Sequence, residues 1–361
     1  MPTTRSLLVF LSLSLALAAC NGRSIDPGGD DEVGDSDGGS DWSPPCASPD
    51  APTGPVELVS GAMTPGPFVR VHDRVYWADQ WYPWSPEFVH VRWAPIDAPD
   101  DWHTLTETPQ AVRAMAGDGE AAFWIEGDDG TPTGGLWRVD AEGEPALLEG
   151  DLTAPTGLRH RPGPEGGWLY YSSRASDMPD STTLLHRARP DGSAAQVIAE
   201  RSGFIVAIDL GPTDLWWTES SGDIWRMPLD GGPPELAFTD TTFPTDIEVV
   251  GSKTFIVSFG SLYRLTPGAE PEYIEGLGDN GGIEATDTHV YFSAQNVFED
   301  THLGWIHRIP IDAEPFGGEF VTSKFAPAPT EMIDDADALY WATADEDTGQ
   351  GGIWMLCKDH E

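Results

Sequence analysis

A short aromatic phrase recurs seven times along the 361-residue chain, and this repeat limits the fold more than any other feature of the sequence. The copies are VYWAD (75–79), AFWIE (122–126), LYYSS (169–173), LWWTE (215–219), TFIVS (254–258), VYFSA (290–294) and LYWAT (339–343). Successive copies begin 36 to 49 residues apart. A period of this size predicts one repeat architecture rather than several independent domains.

Each copy carries the signals of four short β-strands. A second motif follows each aromatic pair: VRWAPID (91–97), LWRVDAEG (136–143), LHRARPDG (185–192), IWRMPLDG (224–231), LYRLTPG (262–268), IHRIPID (306–312) and IWMLCKD (353–359). Another segment precedes each pair, as in TDIEVVG (245–251), and a fourth follows the second motif, as in ALLEG (146–150). These segments are rich in β-branched and aromatic residues and are separated by turn-forming residues. Four strands at this period predict an all-β, seven-bladed β-propeller.

The expected blades fill the chain from residue 51 to residue 361. They lie near 67–108, 111–150, 156–200, 203–239, 245–276, 281–322 and 330–359. The seventh copy lacks a fourth strand, whereas PVELVSG (55–61) precedes the first blade without a partner of its own. Pairing this N-terminal strand with the last blade would close the ring and cover an exposed edge.

Two cysteines bear on this closure. Cys46 lies just before the proposed closing strand, and Cys357 ends the third strand of the last blade. The two positions converge if the ring closes as proposed, and an extracytoplasmic compartment permits a disulfide. The sequence therefore predicts a Cys46–Cys357 disulfide, with two free thiols as the alternative.

The N-terminus has the features of a targeting segment. An apolar run, LLVFLSLSLALAA (7–19), ends in small residues and is followed at once by Cys20. This junction resembles a bacterial lipobox, which implies a signal peptide over 1–19 and lipidation of Cys20. The alternative is an ordinary secretory signal. Residues 20–50 form a Gly-, Asp-, Ser- and Pro-rich segment that we interpret as a disordered, acidic tether.

These features predict a protein held in the bacterial cell envelope by acyl chains, without a membrane-spanning segment. Asn21 follows the lipidation site, and the sorting rule implied by the lipobox resemblance then favours the outer membrane. We expect the domain to face the periplasm or the cell surface.

The charge of the chain excludes one class of partner. Asp and Glu number 60 against 19 Lys and Arg, which gives a net charge of −41. Such a surface repels phosphate backbones, so nucleic acid is excluded as a partner. One interpretation of the acidic surface is that it keeps the protein soluble or adapts it to a salty medium. The alternative is that it attracts cations or basic partners.

Two repeated features are interpreted as architecture rather than function. The second motif carries an arginine at the same position in five copies: Arg138, Arg187, Arg226, Arg264 and Arg308. Trp93 and Met355 take that position in the other two copies. A guanidinium can stack on aromatic rings and pair with a carboxylate between sheets. The aromatic pair is the second repeated feature, and alternation in a strand sends its two rings to opposite faces of the sheet.

Function is better sought in the loops where the copies differ. The loops between second and third strands are expected to share one face of the propeller, the loop face. The candidate ligand residues on it are Asp79, Trp81, Tyr82, Trp84, Asp128, Asp129, Asp177, Asp180, Glu219, Asp223, Asp300, Asp345 and Asp347. Carboxylates around a depression suit Ca²⁺, and exposed aromatic rings suit a sugar or a peptide. The alternative interpretation is a set of solvated acidic loops.

The sequence contains none of the common catalytic motifs: no HExxH, GxSxG, Walker-type glycine loop, CxxCH or EF-hand loop. The LYW[TAS] phrase with its following [LI][WY]R strand resembles the YWTD-type propellers of receptor ectodomains, and also bacterial lipoprotein propellers of unassigned function. That resemblance implies extracellular binding, so we expect a binding or scaffold module for a protein, peptide or glycan. The alternative is a calcium-dependent propeller hydrolase or lactonase with carboxylates converging at the central funnel.

Overall fold

A computed structural model gives the architecture. It describes residues 46, 51–52, 54–80, 89–128, 133–141, 143–176, 182–239, 242–258, 260–266, 268–276, 282–295, 304–322, 329–335, 337–344 and 349–358. Within these ranges the chain forms strands β1 to β27, with a short 3-10 turn at Pro164–Gly166. In the described part of the chain, no helix is long and apolar enough to span a membrane.

The strands form seven antiparallel blades, as the repeat predicts. Blade one contains β2 (Pro65–Val71), β3 (Arg74–Asp79), β4 (Val89–Pro95) and β5 (His103–Thr108). Blade two contains β6 (Val112–Gly117), β7 (Ala121–Glu126), β8 (Gly134–Asp140) and the first part of β9 (Ala146–Arg161). Blade three contains the rest of β9, β10 (Trp168–Arg174), β11 (Thr183–Ala188) and β12 (Gln196–Arg201). In each blade the first strand is innermost and the fourth is outermost.

The remaining blades follow the same order. Blade four contains β13 (Ile205–Leu210), β14 (Asp214–Glu219), β15 (Ile224–Pro228) and β16 (Glu235–Phe238). Blade five contains β17 (Pro244–Val250), β18 (Lys253–Ser258), β19 (Ser261–Leu265) and β20 (Glu272–Gly276). Blade six contains β21 (Ile283–Ala285), β22 (His289–Gln295), β23 (Gly304–Pro310) and β24 (Glu319–Phe320). Blade seven contains β25 (Pro329–Asp334), β26 (Ala338–Ala344), β27 (Gly351–Cys357) and β1 (Val56–Ala62).

Blades two and three are joined by one continuous strand. The sequence suggests two strands here, near 146–150 and from 156, but β9 runs through both. Its first part pairs with β8 and its second part with β10, so the two blades form one seven-stranded sheet. Asp151 and Ala154 have φ values of 60° and 41°, which bend the strand between the blades.

The ring closes through the N-terminal strand, as predicted. β1 pairs antiparallel with β27, with Val59 opposite Ile353. Cys46 and Cys357 are joined by a disulfide, and their Cα atoms are 5.3 Å apart. The first strand of the domain therefore completes the last blade, and a covalent bond fixes the closure.

Aromatic side chains fill the seams between blades. The second residue of each aromatic pair is at most 1% exposed, as in Trp77, Trp124, Trp217 and Trp341. Most pairs therefore bury one ring against each neighbouring blade, because alternate residues of a strand point to opposite faces. Burial of a large aromatic side chain contributes roughly 2–3 kcal/mol, so these seams form the core of the domain.

The repeated arginines connect neighbouring blades. Arg138 donates to the Pro190 carbonyl at 3.1 Å, Arg187 to the Leu229 carbonyl at 3.0 Å, and Arg264 to the Ile311 carbonyl at 3.0 Å. Each acceptor lies in the turn after the third strand of the next blade. Arg226 and Arg308 pair instead with glutamates on the outer strands of their own blades, Glu235 and Glu319. These contacts agree with the architectural interpretation of the repeated position.

Candidate functional site

The structure describes four of the residues predicted for the loop face: Asp79, Asp128, Glu219 and Asp223. The other predicted site residues lie outside the described residues: Cys20, Trp81, Tyr82, Trp84, Asp129, Asp177, Asp180, Asp300, Asp345 and Asp347. Their predicted roles stay predictions.

Asp79 lies inside the seam rather than on an open rim. It ends β3 and is only 4% exposed. One carboxylate oxygen accepts the Trp77 indole N–H at 2.8 Å, and the other lies 2.9 Å from Arg92 Nε. Desolvation raises the pKa of Asp79, while Arg92 and Trp77 oppose that rise. Both oxygens therefore already have partners within blade one.

Glu219 repeats this arrangement in blade four. It is 3% exposed, and its Oε1 accepts the Trp217 indole N–H at 3.3 Å and Arg201 Nε at 2.8 Å. Arg201 belongs to the outer strand of blade three, so the ion pair crosses a seam. Two of the predicted ligand residues thus serve as contacts between or within blades.

Glu126 is a third buried acid that accepts an indole N–H from its own strand, after Asp79 and Glu219. It is not among the residues that the sequence predicted. It is 7% exposed and accepts the Trp124 indole N–H at 3.4 Å, and desolvation raises its pKa. The signal was present in the repeated phrase, because YWAD, FWIE and WWTE all place an acid two residues after a tryptophan. Residues two apart in a strand share a face, so the acid caps the indole of its own strand.

Asp223 lies at the surface in the turn that follows Glu219. Its carboxylate accepts the Thr239 hydroxyl at 2.8 Å, and its carbonyl accepts the Glu219 N–H at 2.8 Å. Asp128 follows β7 and is half-buried. The structure brings Glu219 and Asp223 together in one turn, but it places Asp79 and Asp128 in other blades.

A buried set of charged side chains lies on the innermost strands, which contact one another around the central axis. We call it the axial cluster: Arg159, Asp209, Asp246, Glu248, Glu284 and Glu331. Arg159, Asp209, Glu248 and Glu284 occupy the same register in blades three to six, each opposite the second residue of its aromatic phrase. Val69 and Ala116 hold that register in blades one and two.

Arg159 connects the cluster across the seams. Its Nε lies 3.1 Å from Asp209 Oδ1, and its Nη2 lies 3.5 Å from Glu248 Oε1. Backbone N–H groups satisfy further oxygens, since Val249 donates to Asp209 at 2.7 Å and Ile283 donates to Asp246 at 3.2 Å. The cluster is therefore a hydrogen-bonded network shared by several blades.

Two acids of the cluster have strongly raised pKa values. Desolvation raises the pKa of Asp246 to about 7 and that of Glu331 to about 8, although Arg159 opposes both shifts. The charge of Asp246 adds to the rise at Glu331. Neither oxygen of Glu331 makes a full hydrogen bond within the described part of the chain, and the nearby Phe68 N–H lowers its pKa only in part. Glu331 is therefore largely protonated near neutral pH.

The axial cluster does not suit a divalent cation. Its members are at most 3% exposed, and the Arg159 guanidinium already occupies the position among the carboxylates. Among the described residues, no group of three or more His, Cys, Asp or Glu side chains has the arrangement of a metal site. The carboxyl groups of the cluster can instead hold protons, as Asp246 and Glu331 do, and pair with the buried guanidinium of Arg159.

A second buried polar set lies between blades two and three. Ser173 Oγ is 2.8 Å from His186 Nε2, and His186 Nδ1 is 3.8 Å from Glu149 Oε1. The residue types are those of a nucleophile, a base and an orienting acid. Ser173 is 3% exposed and the Tyr171 ring stacks on His186 at 4.8 Å, so the set is enclosed by the seam and stabilises it.

Comparisons with known proteins support the fold. No protein-family model matches the chain, and no curated protein matches it. An oligogalacturonate lyase in complex with manganese is 12% identical over 85% of this chain and 93% of that chain, with a TM-score of 0.55. The AfRom2 CNH domain is 11% identical over 84% of this chain and 98% of that chain, with a TM-score of 0.54. An oligogalacturonate lyase from Vibrio parahaemolyticus is 11% identical over 84% of this chain and 91% of that chain, with a TM-score of 0.53. These similarities confirm the propeller class and, at such identities, extend to the fold alone.

Proposed function

We propose that the protein is a lipid-anchored, extracytoplasmic propeller that acts as a binding or scaffold module for a protein, peptide or glycan. One observation carries this proposal: the repeated aromatic, arginine and Trp-capping acidic side chains are used to pack and connect the blades. Side chains that are free to meet a ligand therefore lie between the repeated positions, where the copies differ. A rigid ring that presents variable loops is a common basis for recognition.

The calcium-dependent hydrolase or lactonase is the second candidate. The convergence of five carboxyl groups on the innermost strands of blades four to seven favours it, and a propeller neighbour holds manganese. Arg159 and the burial of the cluster count against it, because a substrate and a cation would both need that space. We therefore place binding ahead of catalysis.

The binding proposal is tested with the purified full-length protein on peptide and glycan arrays. The informative variant replaces Trp81 and Trp84 by alanine on the predicted loop face. Phe316→Ala is the matched control, since Phe316 is 72% exposed in the turn after β23, at the opposite end of the blades. We expect a ligand whose binding is lost only in the loop-face variant. Binding that is absent from the arrays, or equal in both variants, would contradict the proposal.

The enzymatic candidate is tested on the same preparation. Elemental analysis measures bound calcium and manganese, and turnover of lactone and ester substrates is followed with each metal added. Stoichiometric metal together with metal-dependent turnover would overturn our preference for a binding module.

The membrane anchor has its own test. We expect the protein to incorporate labelled palmitate in a bacterial host and to sediment with membranes. Cys20→Ser should abolish both, whereas Cys46→Ser should leave labelling intact. Labelling that survives in the Cys20 variant would contradict the lipobox interpretation.

A further inference from the structure

A cavity of about 310 Å³ opens in the seam between blades one and two. It lies at the end of the blades where β3 begins with Arg74, whereas the predicted loop face lies at the other end, where β3 finishes with Asp79. Its lining includes Arg74, Tyr76, Trp93, Leu105, Asp140 and Glu144. The volume is at the lower limit of typical small-molecule sites.

The cavity exists where one copy departs from the repeat. In blades two, three and five, the repeated arginine of the third strand reaches a carbonyl in the turn of the next blade. Blade one has Trp93 at that position, and in the described part of the chain its single indole N–H donates to no carbonyl of blade two. The space between Trp93 and the turn after β8 is therefore left open.

Arg74 is unusual for an arginine in this acidic chain. Most described arginines and lysines pair with a carboxylate or a carbonyl, and Lys253, at the same register in blade five, pairs with Asp312 and the Ile311 carbonyl. The Arg74 side chain makes no hydrogen bond or ion pair within the described residues. Its guanidinium instead lies 4.2 Å from the centre of the Trp93 ring, which holds it at the cavity wall.

The opposite wall carries negative charge. Asp140 Oδ1 accepts two N–H groups of Arg138, at 2.9 Å and 2.6 Å, while Glu144 is exposed and makes no ion pair in the described part of the chain. Arg74, Tyr76 and Asp140 line the same cavity. Burial raises the pKa of the Tyr76 hydroxyl, Arg74 opposes that rise, and Asp73 and Asp140 add to it. Between the two charged walls, Leu105, Val139 and the Trp93 ring supply apolar surface.

We propose that this cavity binds a small zwitterion of the α-amino-acid class. The ligand carboxylate pairs with Arg74, whose fork of N–H donors matches a carboxylate in a bidentate geometry. The ligand ammonium group faces Asp140 and Glu144, and its side chain contacts the apolar part of the lining. A purely anionic ligand would meet the repulsion of Glu144, and a purely cationic ligand would meet that of Arg74.

The test uses the purified full-length protein and the twenty free L-amino acids, screened by saturation-transfer NMR and then by titration calorimetry. We expect at least one amino acid to bind. Its amide, which lacks the carboxylate, and its N-acetyl derivative, which lacks the ammonium group, should each bind at least about tenfold more weakly. Failure of all twenty, or equal binding of either derivative, would overturn the proposal.

Three variants locate the site on the structure. Arg74→Gln should weaken binding at least about tenfold with little loss of stability, because the Arg74 side chain makes no hydrogen bond in the described structure. Leu105→Trp should abolish binding by filling the cavity without changing its charge. Arg226→Gln is the control, since Arg226 also lies over a tryptophan, 5.4 Å from the Trp216 ring, but lines no part of this cavity. Undiminished binding in Arg74→Gln and Leu105→Trp would overturn the assignment, and the loop-face proposal would be unaffected.

Discussion

Single residues of the axial cluster decide how stability depends on pH. A carboxyl group buried beside other acids favours its neutral form, because burial penalises the charge. The pKa of Glu331 is raised from 4.5 to about 8, and that of Asp246 from 3.8 to about 7. Since both folded pKa values lie above the unfolded ones, the native state holds more protons than the unfolded chain. Its stability is then full below the unfolded pKa values and falls as the pH rises towards 8.

Glu331→Gln should therefore stabilise the protein at alkaline pH. The amide retains the shape of the neutral acid but never ionises, so we expect a gain in the free energy of unfolding of roughly 2–4 kcal/mol at pH about 8 and much less at pH about 5. Urea denaturation over this range measures the effect. Glu120→Gln removes the same charge from an exposed turn and should change stability little at any pH. A Glu331 variant as pH-dependent as the wild type would show that the residue is ionised in the native state.

The axial residues also show which part of the site escapes sequence interpretation. The repeat locates Glu248 in the first strand of blade five, predicted over 245–251, and Glu284 near the start of blade six, predicted over 281–322. From sequence alone, a glutamate in a short strand is expected to lie on the solvent-exposed face of its sheet. Only the closure of seven strands around one axis turns such residues inward, and closure is a property of the whole ring rather than of any window.

At the scale of individual strands, the local sequence pattern is sufficient to predict most of the secondary structure. The aromatic phrase and the second motif predict the second and third strands of every blade, because period-two alternation and blade packing demand the same kinds of residue. The fourth strands are weaker in pattern, and β24 is reduced to Glu319–Phe320. The continuity of β9 was missed, because Gly150 and Pro155 are typical of a break between two strands. The chain bends between them, at Asp151 and Ala154, without leaving the strand.

The repeated arginine should contribute stability in proportion to its contacts across the seam. Arg264 donates to two carbonyls of blade six, Ile311 at 3.0 Å and Ala313 at 2.9 Å, and is mostly buried. Arg226 is more exposed, and its ion pair in the described part of the chain is with Glu235 of its own blade. We expect Arg264→Gln to lower the free energy of unfolding by about 1–3 kcal/mol and Arg226→Gln by about 0.5 kcal/mol. Equal losses in chemical denaturation would show that the carbonyl contacts between blades contribute nothing.

At the scale of the whole molecule, the ring is closed at one place by two different devices. Hydrogen bonds between β1 and β27 complete blade seven, and the Cys46–Cys357 disulfide joins residues 311 positions apart in sequence. The other six seams are formed by blades that follow one another directly along the chain. Without closure, blades one and seven would expose their aromatic seam, so the ends of the chain control a contact on which the whole domain depends.

Removing the disulfide should therefore weaken the entire ring rather than one blade. In the chain-entropy model a loop of this length stabilises the native state by about 6 kcal/mol, and by less if the unfolded chain is compact or the native bridge is strained. We expect Cys46→Ser, Cys357→Ser and the double variant to lose the same amount, and wild-type protein in reductant to match them. Calorimetry should show a single transition at a lower temperature for each of these forms. If reduction leaves the transition temperature unchanged, pairing of β1 with β27 closes the ring by itself, and the covalent bond adds nothing to its equilibrium stability.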